Sequence, residues 1–172
     1  MRGPDYLKQT GTNMVDLKQP SADAPYECIG LNVFKSPVSM VHSASKIEAL
    51  RTFLESQKDD EGTDDDGLPK YLVICWMFSN FFATEYTLVQ HLFRRKSSSS
   101  LNEDKALATA AKRFFEADVD GKNNQFKYMF KVVEGPAVMT GAVSTLGGER
   151  PVLIGKKLTT SYFKGKNYFE IG

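Results

Sequence analysis

Apolar residues recur along this chain in two rhythms. Between residues 46 and 57, Ile47, Leu50, Phe53 and Leu54 return every three or four positions, which places them on one face of a helix. Ser45 followed by Glu48 reads as the capping box of its first turn. Residues 103–117 repeat the rhythm. Leu107, Ala110, Ala111, Phe114 and Phe115 form one stripe, Asn102 stands at the cap, and Glu103 and Asp104 stand at the positive end. "YLVICWMF" (71–78) has no polar break, so it predicts a strand covered on both faces and central in its sheet. "YTLVQHLFRR" (86–95) follows after the short "SNFFATE", and the pair predicts a hairpin.

The second rhythm is alternation. Phe126, Tyr128, Phe130 and Val132 interleave with Lys127, Met129 and Lys131, the pattern of a strand with one packed and one wet face. After the turn at Glu134, Gly135 and Pro136, "AVMTGAV" (137–143) reads as a returning strand with Gly141 at a bulge or a close backbone approach. Residues 151–155 and 159–171 complete the strands. "YECIGLNVF" (26–34) fits helix or strand equally, since so short an apolar run has no decisive period. Residues 1–25 read as extended or irregular, punctuated by Pro4, Gly11, Pro20 and Pro25. Six of the eight residues from Asp59 to Asp66 are acidic, so 58–67 reads as a flexible acidic loop. Helices followed by runs of strands, without βαβ alternation, predict an α+β domain over residues 1–172. Its form is a curved, mostly antiparallel sheet packed on one or two helices. A START-like helix grip is one candidate for that form.

Composition narrows the class. The chain has 172 residues, 41% of them hydrophobic, with a net charge of +1. That charge provides no field to draw in nucleic acid. The first residues lack the apolar core of a signal peptide. The longest apolar run is far short of the roughly 20 residues that span a bilayer. Cys28 and Cys75 are the only cysteines and read as reduced thiols. The expectation is an intracellular protein, soluble or peripherally membrane-associated.

The two ends share a phrase: Arg2, Gly3, Tyr6, Leu7 at the front and Lys164, Gly165, Tyr168, Phe169 at the back. With Gly155, Lys156, Lys157 and Leu158, then Tyr162, Gly165, Tyr168 and Glu170, it resembles the C-terminal domain of the plant protein enhanced disease resistance two, a family of unknown function. Two departures accompany the resemblance. Ala137 stands where many members carry Trp, and members continue beyond the final Tyr-x-Glu. The resemblance therefore implies a truncated or short form. It further implies lipid-linked, membrane-associated regulation, because in plants this domain follows pleckstrin-homology and START domains. It implies no catalytic residues. Tyr6 and Tyr168 are expected to be packing residues, with the terminal segments side by side.

Most motif-like stretches fail on chemistry. "DVDGKNNQ" (118–125) would place Lys122 at a calcium ligand position and Met129 where a bidentate Glu is required, so it reads as a turn. "IGKK" lacks both the upstream Gly and the following Ser or Thr of a phosphate loop. His42 or His91 with Cys28 or Cys75 could form a nucleophile pair, but Cys75 sits in an apolar run where a thiolate is costly. No zinc spacing occurs, and neither a metal nor a cofactor is expected. The aromatics are more informative. Trp76, Phe78, Phe81, Phe82, Phe114, Tyr128 and Phe130 are the candidate lining of an apolar site. Arg94, Arg95, Lys96, Lys156 and Lys157 are the candidate basic surface for anionic lipid. Two functions follow. One is a non-catalytic module that binds a lipid or other apolar ligand between sheet and helix 103–117. The alternative is a protein-interaction or regulatory module with a filled core.

Overall fold

The structure is a computed structural model. It describes residues 24–57, 68–80, 82, 84–96, 105–129, 132–134, 137–145 and 150–172. The main sheet has five strands: β1 (Tyr26–Ser36), β2 (Tyr71–Ser79), β3 (Tyr86–Arg95), β6 (Tyr162–Lys164) and β7 (Tyr168–Ile171). Their order is β1-β3-β2-β7-β6. The β2–β3 hairpin is present, and β2 is central, as its unbroken apolar run demands. All pairs are antiparallel except β2 with β7. β4 (Lys127–Tyr128) and β5 (Val152–Leu153) form a separate two-stranded ladder. The helices are α1 (Ser43–Lys46), α2 (Glu48–Ser56), α3 (Lys105–Glu116), α4 (Val119–Asn123) and α5 (Ala137–Thr145), with a 3₁₀ turn at Ile154–Lys156.

Several expectations change. The ambiguous run 26–34 is strand, extending to Ser36. The Ser45–Glu48 capping box does not form. Ser45 Oγ donates to the His42 carbonyl at 2.9 Å, and extended Ile47 splits the segment and stands at the α2 N-cap without a side-chain bond. The returning strand 137–143 is helix α5 instead. Its Ala, Met and small residues carry no polar alternation to impose a strand period, and Thr145 Oγ1 donates to the Gly141 carbonyl four residues back. A Cβ on Gly141 would meet nothing within 4 Å, so no close backbone approach occurs there. Residues 118–125 hold a short helix rather than an open turn. The Asp118 carboxylate accepts from the Gly121 N–H at 2.7 Å and caps it. Tyr6, the acidic loop 58–67, Asn102, Phe81 and Phe130 lie outside the described residues.

The sheet carries two layers. On one face, Leu50 and Leu54 of α2 and Ala44 of α1 pack on Tyr71, Val73, Cys75, Leu88 and Leu92. Phe53 meets Tyr71 edge-on at 5.4 Å. On the other face, buried Phe169 takes the rings of Phe114 and Phe115 from α3 at 6.1 and 5.0 Å. Buried Lys122 donates to the Ala117 carbonyl with its ammonium over the Tyr162 and Phe169 rings; burial pushes its pKa down. The second face is covered only in part. Leu31, Val33 and Phe78 remain 60%, 64% and 58% exposed; by register Val33 shares a row with Val89 and Trp76, and Leu31 shares one with His91 and Ile74.

Candidate functional site

Beside the edge of that second layer lies a cavity of about 650 Å3. Its floor follows from strand alternation. Ile74, Trp76 and Phe78 of β2 project to the face opposite α2, and Ile171 of β7 joins them through the parallel register. The opposite wall comes from the chain after β5, where the 3₁₀ turn presents Ile154 and Leu158 and the following segment presents Thr159, Thr160 and Ser161. That wall is pinned to the sheet by two backbone bonds, Ser161 N–H to the Gly172 carbonyl at 2.6 Å and the reverse at 3.0 Å. The volume falls in the range of small-molecule sites, roughly 300–1,000 Å3.

The expected lining residues separate. Trp76 and Phe78 line the cavity. Tyr128 stands one ring behind, 4.7 Å edge-on to Trp76, where burial raises its phenol. Phe114 does not reach the cavity; it packs among Phe126, Tyr162 and Phe169, so the space between sheet and α3 is occupied by rings. Phe82 is 79% exposed. Ile154, Leu158, Thr160 and Ile171 were missed as lining. Their only sequence signal was the alternation Phe169, Ile171, since the 3₁₀ turn has no readable period. Among the basic residues, Arg94 pairs with Glu27 at 2.7 Å, which raises its pKa. Arg95 donates to the Leu68 carbonyl at 3.4 Å, and the Lys96 N–H donates to the Pro25 carbonyl. Lys156 and Lys157 are exposed on the 3₁₀ turn and its cap.

Directly across β2 from the cavity lies a buried polar cluster that spacing did not reveal. Glu170 is fully buried. Its Oε1 accepts from the Ser43 N–H at 2.6 Å and Ser43 Oγ at 2.9 Å, and its Oε2 accepts from the Ala44 N–H at 3.0 Å. A side chain 127 positions away thus caps α1. Gln90 Nε2 donates to Ser43 Oγ at 2.9 Å, and the Cys75 sulfur lies 3.0 Å from that oxygen. Burial pushes the Cys75 thiol up to about 12. His42 leads into α1 with φ 61°, a left-handed conformation that costs on the order of 1–2 kcal/mol outside glycine. It is held by stacking on Phe163 at 4.2 Å, by Tyr168 Oη at 3.1 Å, and by Glu170 Oε2 at 3.9 Å. Among the described residues no hydrogen bond joins either histidine to either thiol, so the His–Cys pairs that the sequence disfavours are not assembled. Histidine and carboxylate do converge, but on a carboxylate sealed from solvent and occupied by helix N–H groups.

The family model described as Protein ENHANCED DISEASE RESISTANCE 2, C-terminal, matches residues 1–172. The chain belongs to this family. Comparison with curated proteins and with solved structures found no match. In this enhanced disease resistance 2 C-terminal domain, the family-type residues Tyr162, Gly165, Tyr168 and Glu170 all sit in the β6–β7 hairpin or its turn. Tyr168 packs against the α2-side core, which makes it the packing residue expected. Its counterpart Tyr6 lies outside the described residues. Among the described strands, β1 and β7 are separated by β3 and β2. None of the described helices is long and apolar enough to cross a membrane.

Proposed function

We propose that this domain is a non-catalytic binding module that takes a lipid or other apolar ligand into the cavity between the β2–β7 floor and residues 154–161. The observation that supports this most directly is the cavity itself: about 650 Å3, floored by Ile74, Trp76, Phe78 and Ile171. Apolar surface left lining a space of that size gains by taking in an apolar guest. The exposed Leu31–Val33–Phe78 face runs up to the same Trp76. It is a surface on which the module would rest against a membrane or a partner while ligand passes. Lys156 and Lys157, exposed beside the cavity wall, would meet anionic headgroups there. A START-like helix grip is the fold-level form of this proposal.

Native mass spectrometry of the purified domain tests it. A bound lipid should appear as a defined mass increment, and Leu158→Phe, which puts a ring into the cavity from a residue 40% exposed, should cut its occupancy at least about fivefold. A bare polypeptide mass under conditions that preserve non-covalent complexes would refute the reading. The second reading, a protein-interaction module, is favoured by the exposed sheet face alone. Pull-down with Leu31→Ser and Val33→Ser should then lose the partner, while lipid occupancy stays unchanged.

A further inference from the structure

The chemistry of the cavity wall goes further than its size. We infer that the ligand is an uncharged lipid whose polar end donates a hydrogen bond — a hydroxyl-bearing lipid rather than a fatty acid or a phospholipid. This rests on the cavity being the ligand site. Among the described residues lining it there is no Lys, Arg, Asp, Glu or His. A carboxylate or phosphate drawn inside would lose its hydration and meet no countercharge, which is the costliest kind of burial. The polar side chains present include the hydroxyls of Thr145, Thr159, Thr160 and Ser161; the Cys75 thiol points to the other face, toward Ser43.

Two of those hydroxyls have already committed their protons. Thr145 Oγ1 donates to the Gly141 carbonyl at 3.0 Å, and Thr160 Oγ1 donates to the Leu158 carbonyl at 3.1 Å. A hydroxyl has one proton and two lone pairs, so what these threonines hold out to a ligand is acceptor capacity. The Ser161 and Gly172 N–H groups are committed as well, each to the other's carbonyl. The Thr145 and Thr160 oxygens thus complete a ligand O–H, while an ionised headgroup meets no cationic side chain among the described lining.

Trp76 is the only tryptophan and lies in the floor, so its fluorescence reports occupancy directly. Three probes of one length separate the possibilities at pH 8: 1-decanol (neutral, donor), methyl nonanoate (neutral, acceptor only) and decanoate (ionised). The expected order is decanol tightest, methyl nonanoate about fivefold weaker or more, and decanoate at least about tenfold weaker. Thr160→Val, shown to be folded by circular dichroism, should erase the margin between decanol and methyl nonanoate; Thr145→Val serves if that variant does not fold. Decanoate binding as tightly as decanol, or a margin unchanged in both variants, overturns the inference and leaves the cavity reading standing. No response to any probe overturns the cavity reading itself.

Discussion

Replacing Glu170 by Gln changes one atom and should cost this domain a large share of its stability. The carboxylate accepts from three donors at 2.6, 2.9 and 3.0 Å. Two of them are backbone N–H groups of α1, which cannot turn away. An amide keeps one acceptor oxygen and presents an NH2 in place of the other. Whichever way it turns, the N–H of Ser43 or of Ala44 faces another donor. The loss combines a charge-assisted bond, about 1.5–3 kcal/mol, with a buried donor left unpaired, about 1–3 kcal/mol. A total of about 3–5 kcal/mol follows, the scale seen when one member of a buried ionic contact is removed. Set against the roughly 5–15 kcal/mol that holds a domain folded, this should shift a urea midpoint strongly at unchanged slope. Equilibrium denaturation followed by Trp76 fluorescence and far-ultraviolet circular dichroism measures it. Ser43→Ala, alone and combined with Glu170→Gln, should show coupling of at least about 0.5 kcal/mol between the two side chains. A loss below about 1 kcal/mol for Glu170→Gln, with the slope unchanged, would refute the assignment of this carboxylate as the cap of α1.

Two further predictions come from the same hairpin and its neighbours. Burial moves the Cys75 thiol from 9.0 to about 12, so as pH rises the unfolded chain releases that proton first. Stability from this group is intact below pH 9 and falls above it by about 1.4 kcal/mol per pH unit. Melts at pH 8, 9 and 10 should show this decline in the wild type and lose it in Cys75→Ala, before the burial-raised phenols of Tyr128, Tyr162 and Tyr168 add their own share above pH 10. A Cβ on Gly165 would clash with the edge of the Tyr168 ring, and that ring packs on the core and bonds His42. Gly165→Ala should therefore cost about 1–3 kcal/mol in the same urea assay, and a neutral result would mean the turn is not the close approach the structure shows.

The local rhythms of the chain were enough for α2, α3, β2 and β3, because each writes its period within a dozen residues. Leu50 and Leu54 are buried as their spacing requires. The unbroken run from Tyr71 to Cys75 is covered on both faces because β2 sits in the middle of the sheet. Where the residues carried no period, the sequence was silent or pointed the wrong way. "AVMTGAV" became a helix, and Ser45, an apparent cap, bonded backward into the preceding turn. Composition likewise marked Trp76 and Phe78 as unusual apolar residues, but not that they would floor one cavity while Phe114 filled another space.

Long-range pairing decided the rest. Ser43 and Glu170 stand 127 positions apart, and no spacing rule links them. They meet because β7 joins β2 in parallel, a pairing that turns Glu170 toward α1 and Ile171 toward the cavity. The same strand alternation that is legible in six residues thus acquires its meaning only when the sheet order says which neighbour lies across each face. Periodicity determines which side chains share a side; the closing of the chain on itself determines what that side touches.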